Sequence, residues 1–310
     1  MESILYIAHT DSEGKLGKPA FEALTAAANL AAALGNAPLT AGLVGESVQA
    51  AADSIAGCGA AKFLGASGGD FGQARYATDA AAVEALCRAA QATIVVVPAT
   101  SRLSRVVGGV ALRLEGRVDT HVTGITVTDG AVEIKRWYYR QRMLSTIKRT
   151  QRPWIVGVDP GSHVAWTGAA GAATVEAVNV SIDDAMKRTA VTGTQAPAGD
   201  EQTIRPEAQV LFVAGAGWTK KQEDGQPHVK EAETLILDFL HGAKASLGGS
   251  KSMVDLRSEG EAVLPFMTHL NQVGQTGSTP RHPKGLATCC HGEEPHVVGW
   301  RFINERRAIN

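Results

Sequence analysis

Short β-branched runs alternate with Ala-rich stretches through the first third of the chain. Ile4-Leu5-Tyr6-Ile7-Ala8 is an apolar run of strand length. Pro19 to Leu34 is rich in Ala and Leu and has no internal Gly, as a helix requires. Gly35-Asn36 supplies a helix stop; Leu39 to Val44 then predicts a second strand, and Ala60 to Leu64 a third. Asp79 to Ala90 predicts another helix, with Asp79 near its positive end and Arg88 near its negative end. Thr93-Ile94-Val95-Val96-Val97-Pro98 is the strongest strand signal. A continuous β-branched run of this kind fits a parallel strand covered on both faces. Strands alternating with helices imply βαβ crossovers and hence an α/β fold.

Beyond Arg105 the pattern changes. Val106 to Leu114 reads as a helix, and then His121 to Val127, Val132 to Tyr139 and Trp154 to Val158 follow closely. Asp129-Gly130 between two alternating runs predicts a hairpin, so the N-terminal parallel-sheet domain acquires antiparallel additions. Ala169 to Gln202 has loop and linker composition. The expected organisation is an N-terminal α/β domain over 1–190, a linker over 191–204 and a second, Rossmann-like α/β domain over 205–310. The second unit begins at Val210-Leu211-Phe212-Val213, turns at Gly215-Ala216-Gly217 and continues as a helix from His228 to Leu240.

Composition narrows the class. A chain of 310 residues with 44% hydrophobic and 20% charged residues is not collagen, a coiled coil or a disordered chain, and its length suits two domains. Thirty Lys and Arg against 31 Asp and Glu leave a net charge of −1, which gives no footprint for nucleic acid. Four cysteines, two of them adjacent at Cys289-Cys290, make no disulfide framework and point to a reducing compartment. No apolar run approaches the roughly 18 residues of a membrane span, and Met1-Glu2-Ser3-Ile4 lacks the basic start of a signal peptide. A cytoplasmic protein is expected.

Four stretches invite chemistry. Gly215-Ala216-Gly217 follows a strand, yet the third glycine of a dinucleotide fingerprint falls on Lys220, so a tight turn outweighs an independent nicotinamide site. Cys289, Cys290 and His291 suggest a metal or a nucleophile, but adjacent cysteines rarely converge on one ion, and small residues ending a strand explain them better. Arg136 to Arg142 mixes aromatics with cations inside an alternating strand, which suits a partner-facing or exposed strand. Ala245 to Gly277 is the most informative: small residues precede Lys251, and Asn271-Gln272-Val273-Gly274-Gln275-Thr276-Gly277 offers many donors on a backbone that glycine lets a ligand approach. Composition alone leaves that loop between a ligand site and an ordinary surface loop.

These residues carry a family likeness. The 271–277 loop resembles the Gln-Val-Gly-Gln-Thr-Gly loop of electron transfer flavoprotein alpha subunits, and Gly248 to Asp255 resembles the family's Gly-Ala-Ser-Arg-Ala-Ala-Val-Asp segment. Ala214-Gly215-Ala216-Gly217 is similar to its Gly-Gly-Arg-Gly turn, and Ala99 to Arg105 with Leu112-Arg113-Leu114 to its Thr-x-x-Gly-Arg-Asp-Leu helix. The resemblance implies an alpha/beta heterodimer that holds FAD chiefly in the alpha subunit's C-terminal domain. AMP in the beta subunit is a further expectation. The flavin takes electrons from a flavin-dependent dehydrogenase and passes them to a quinone-linked acceptor.

By the same resemblance, Thr276 meets the flavin N5 edge, with Gln272, Val273, Gly274, Gln275 and Gly277 forming the loop around the cofactor. Ser250 touches the pyrophosphate or ring edge, Lys251 lies over the isoalloxazine, His296 lies near O2, and Asn310 lies near the adenosine half. A cation and donors around N1 and O2 favour the reduced, anionic flavin, each 1.4 kcal/mol being worth about tenfold. Lys supplies the charge but not the planar stacking of the family's Arg.

The chain departs from the family at Ala216, where the pattern has Arg, and at Glu293-Glu294-Pro295 before His296. Asn304-Glu305-Arg306-Arg307 does not suit a central strand, and the sequence stops at Asn310, where the family continues. The alternative expectation is therefore a flavin-free docking subunit of a dehydrogenase complex on the same fold. A nicotinamide-dependent oxidoreductase using Gly215 to Gly217 is the weaker third.

Overall fold

The computed structural model describes residues 2–138, 143–193, 204–205, 208–255, 263–273, 282, 284–289 and the strand 305–309. The chain forms two compact units, Met1–Thr194 and Gln195–Asn310. No described helix is long and apolar enough to cross a membrane.

The first unit is a three-layer α/β sandwich. Its strands are β1 (Ile4–His9), β2 (Leu39–Gly45), β3 (Lys62–Ser67), β4 (Ile94–Pro98), β5 (Arg117–Thr128), β6 (Ala131–Tyr138), β7 (Met143–Lys148), β8 (Trp154–Val158) and β9 (Val175–Ala177). They form one sheet in the order β7-β6-β5-β8-β4-β1-β2-β3-β9, parallel except for the β5–β6 and β6–β7 pairs. Its helices are α1 (Lys18–Ala33), α2 (Gln49–Ser54), α3 (Gly69–Gly72), α4 (Tyr76–Ala90), α5 (Ser101–Ser104) and α6 (Val107–Arg113). Side chains of β1 divide between the faces with period two. Ile4, Tyr6 and Ala8 pack with Ala23, Leu24, Ala27 and Leu30 of α1, while Leu5 and Ile7 pack with Val83 and Leu86 of α4 and Val110 of α6. Burial on both sides is why β1 and β4 read as unbroken apolar runs and β2 as one interrupted only by Thr40.

Several elements lay outside the sequence reading. β3 starts two residues later than expected and runs on to Ser67, because pairing with β2 carries Gly65 and Ala66 into the sheet. Residues 169–189 are more than a linker: Val175–Ala177 adds β9 beside β3. A Cβ on Gly65 would stand 2.8 Å from Val175 Cγ1, so only glycine admits that contact. Gly57, Gly171 and Ala173 hydrogen-bond across the same seam. β7, whose Met-Leu-Ser-Thr-Ile-Lys carries a weak strand signal, exists through its pairing with β6.

β5 joins the parallel and antiparallel parts of the sheet. Its first residues pair with β8, its later ones with β6, and the register slips between Asp119 and Val122, where His121 takes a left-handed φ of 58°. Asp119 is buried at that irregularity. It accepts hydrogen bonds from Arg136 Nη1 at 3.0 Å, Arg149 Nη2 at 2.9 Å and Trp154 Nε1 at 2.9 Å. Burial alone would raise its pKa, but the Arg149, Trp154 and Arg136 bonds prevail and hold it below the usual carboxylate value.

The second unit is a smaller parallel sheet. β10 (Val210–Ala214), β11 (Ser246–Gly249), β12 (Lys284–Thr288) and β13 (Glu305–Ile309) stand in the order β11-β10-β12-β13, with α7 (Val229–Ala243) and α8 (Lys251–Asp255). α7 buries Ala232, Ile236 and Leu240, spaced by four, against Phe212 and Leu247. β13 is the outermost described strand on the β12 side.

Candidate functional site

In the second unit β10 connects through α7 to β11 on one side, and the chain then returns to β12 on the other side of β10. The strand order therefore reverses beside β10, and ligands of open α/β sheets bind outside the carboxyl ends of the strands at such a point. Ala214, the last residue of β10, is in register with Gly249 of β11 and Thr288 of β12, so Gly215, Ser250 and Cys289 leave the sheet side by side. Gly215 N–H donates to Thr288 O at 2.9 Å and Gly217 N–H to Cys289 O at 2.9 Å, which draws the two exits together. Gly217 is required there: a Cβ would lie 2.7 Å from the Cys289 carbonyl oxygen. Trp218 Nε1 adds a bond to Thr288 Oγ1 at 2.8 Å.

Four of the residues singled out from sequence meet at these exits. Ser250 is buried; its N–H donates to Ala214 O at 3.0 Å and its Oγ accepts from Met253 N–H at 3.2 Å. Lys251 follows with 66% of its side chain exposed, its Nζ 3.7 Å from Asp255. Gln272 bridges Gly249 as a short parallel pair, and Val273 N–H donates to Gly249 O at 3.0 Å. The turn before them is set by a capping box between Thr268 and Asn271, a signal present in the sequence that composition did not bring out. Gly274, Gln275, Thr276, Gly277, His296 and Asn310 lie outside the described residues, as do Cys290, His291, Glu293 and Glu294. Cys289 follows β12 half-buried, and burial pushes its thiol pKa up, away from the reactive thiolate. Among the described residues no group of three or more His, Cys, Asp or Glu side chains converges as a metal site would require.

Three features stand together at these strand exits. Strand ends stand in register at a switch point, a glycine turn keeps the backbone close to its neighbour, and an ammonium faces solvent beside them. Ala216 adds no charge to the turn, and Lys251 stands exposed on the next strand exit.

The first unit holds a second, tightly closed polar cluster where β1 and β4 end. Arg102 Nε donates to Asp79 Oδ2 at 2.9 Å, and its Nη2 donates to Asp79 Oδ1 at 2.6 Å, Phe71 O at 2.6 Å and Gln73 O at 3.0 Å. His9 Nε2 stands 3.4 Å from Asp79 Oδ1. Burial would raise the Asp79 pKa, but the His9 and Arg102 contacts outweigh it and hold the carboxyl low. The helix begins at Tyr76, three residues before the expected start, and Asp79 stands in its first turn as expected, where its carboxylate also binds Arg102.

This cluster gives a pH prediction. Burial lowers the His9 pKa against the raising pull of Asp79, and burial also lowers that of His163. The unfolded chain protonates both imidazoles below about pH 6.5, whereas the native state resists. Their contribution is whole above that value and falls away as pH drops toward the native pKa values. His9→Gln is expected to flatten the loss of stability below about pH 6.5, leaving the share of His163. Urea midpoints across that range test it, and a variant curve running parallel to wild type would assign the slope to other groups.

Comparison with known proteins adds one finding. The sequence model of the family described as Electron transfer flavoprotein domain matches residues 4–184, more than half of the chain. No curated protein matches it.

Proposed function

The chain belongs to the electron transfer flavoprotein family, and from that premise we propose that it is the alpha-type subunit, carrying FAD in its C-terminal unit and relaying electrons from a flavin-dependent dehydrogenase to a quinone-linked acceptor. The observation that carries this reading is the meeting of Ser250-Lys251 with Gln272-Val273 at the strand exits of a parallel sheet. FAD, when bound, supplies one- and two-electron chemistry at its ring system. The residues of this chain bind and orient it. Lys251 offers positive charge that favours the reduced ring; Ser250 stands beside it. Gly274, Gln275, Thr276, Gly277, His296 and Asn310, which lie outside the described residues, would complete the hold on the cofactor by the resemblance.

The partner contact, in this reading, belongs to the N-terminal unit and takes an electron transfer flavoprotein beta subunit that brings its own AMP. Its support is β7, the last of the described strands on its side of the sheet, with Tyr138, Met143 and Leu144 exposed, Tyr138 paired with Met143 and Trp137 with Leu144. Exposed apolar side chains gathered on a strand edge mark an interaction surface. The working compartment is the cytoplasm.

Co-expression with its neighbouring subunits tests the assignment. The complex is expected to be yellow and to release one flavin per chain on denaturation, and a colourless complex without flavin refutes it. Lys251→Glu is expected to weaken FAD retention by at least ~tenfold, equivalent to roughly 1.4 kcal/mol, read as flavin lost on dialysis; equal retention removes Lys251 from the site. One observation favours a second reading, a flavin-free docking subunit: the turn at the switch point carries the uncharged, buried Ala216 where the family has a cation. Stoichiometric FAD excludes it.

A further inference from the structure

At the edge of the first unit a cavity of about 590 Å³ is bordered by Glu2, by Arg117 at the start of β5, by the Gly130–Val132 turn into β6, and by Lys148 to Arg152 between β7 and β8. Its volume is within the range of small-molecule sites. Four cations, Arg117, Lys148, Arg149 and Arg152, face a single lining carboxylate, Glu2.

Three of the four are held in place. Arg149 is fixed by the buried Asp119 through Nε and Nη2, which leaves its Nη1 without a hydrogen bond among the described residues. Arg152 grips Glu2 through Nε at 3.0 and 3.1 Å, and its Nη1 donates to the Arg149 and Gln151 carbonyls. Lys148 pairs with Glu133 at 2.7 Å. Each of these has a carboxylate partner. Among the described residues Arg117 has none: it is exposed, and its Nη1 donates to the neighbouring Gly116 O at 3.1 Å. The wall thus presents guanidinium groups already ordered by their partners, plus one charge left uncompensated.

We infer that this cavity binds a small anion bearing phosphate groups. Guanidinium forks match the oxygen spacing of phosphate, and groups immobilised beforehand lose little entropy when they bind it. A dianionic phosphate also meets both the surplus charge of Arg117 and the spare donor of Arg149, which a single hydroxyl or neutral ligand does not. The inference is independent of whether the second unit holds flavin, since every lining residue belongs to the first.

Calorimetric titration of the full chain with inorganic tripolyphosphate tests it. Saturable binding at one site per chain is expected, weakening as salt rises because the contact is electrostatic and partly exposed. Arg117→Ala is expected to reduce the affinity at least ~tenfold, while Lys62→Ala, at an exposed cation on β3 elsewhere in the unit, leaves it unchanged. The tie of Arg117 to β8 runs through its backbone, and its side chain donates only to the adjacent Gly116 carbonyl among the described residues, so its alanine variant keeps the wild-type circular dichroism. If that spectrum changes, Lys148→Gln replaces it, with a several-fold loss expected. Absence of saturable binding, equal affinity in the cavity variant, or equal loss in Lys62→Ala overturns the assignment.

Discussion

Asp119→Ala is expected to destabilise the first unit by about 3–5 kcal/mol, the cost of removing one partner from a buried ion pair. Asp119 is 1% exposed and its two oxygens serve Arg136, Arg149 and the indole of Trp154, itself fully buried. Those three donors come from β6, from the loop after β7 and from β8, so the carboxylate fastens the antiparallel extension to the parallel sheet. Its loss leaves two guanidiniums and an indole N–H facing an empty space, and the penalty comes from their desolvation rather than from the lost attraction. For a unit of this size, 1 kcal/mol corresponds to roughly 2–4 °C in Tm, so a fall of about 6–20 °C is expected by circular dichroism. Asp119→Asn, which keeps one acceptor oxygen, is expected to lose less. A melting point within a degree or two of wild type for the Ala variant would show that the cluster relaxes freely. Because the native pKa is depressed, the contribution of Asp119 is whole above about pH 4 and disappears as acid protonates the native carboxylate.

Gly217→Val carries the largest expected effect in the second unit. The β10 and β12 exits are joined by Gly217 N–H to Cys289 O, and the first added carbon would sit 2.7 Å from that oxygen and 3.0 Å from the Cys289 Cβ. Neither atom is the tip of a flexible side chain, so the two exits must part. Overpacking of this kind costs about 1–3 kcal/mol, and the displacement falls on the strand ends where the nucleotide is proposed to sit. Loss of bound flavin is expected together with a lower melting point for this unit and an unchanged one for the first. A Gly217→Val protein that retains full flavin would move the cofactor away from the β10–β12 exits.

The first α/β stretch was legible because its strands are buried on both faces. Ile4 to Ala8 and Ile94 to Pro98 are unbroken apolar runs for that reason, Leu39 to Val44 is apolar but for the buried Thr40, and the Ala-rich helix between the first two ends at Gly35 and Asn36, both with left-handed φ. The Asp129-Gly130 hairpin was legible too, since a tight turn with positive φ at both residues admits few residue types. Of the candidate site, the order Ser250-Lys251 and Gln272-Val273 was visible as composition and resemblance, and Gly215-Ala216-Gly217 as a turn.

Other elements carried no such mark. β11 is Ser-Leu-Gly-Gly, and its glycines are there because Val273 and Met267 crowd them: a Cβ on Gly248 would lie 2.9 Å from Val273 Cγ1, and one on Gly249 2.8 Å from Met267 Sδ. Propensity argues against a strand at such a site, and packing overrides it. β9 rests in the same way on the missing side chain of Gly65. Asp79 and Arg102 are 23 residues apart, and Asp119 and Arg149 are 30 apart.

The sequence by itself determined the local periods, the turns and the helix stops, because these depend on each residue's own side chain and its near neighbours. Only the tertiary structure decided which weak segments became strands, which carboxylate met which guanidinium, and that Gly217 must stay small beside Cys289. Those outcomes depend on atoms brought together from distant parts of the chain, and no local pattern encodes such a distance.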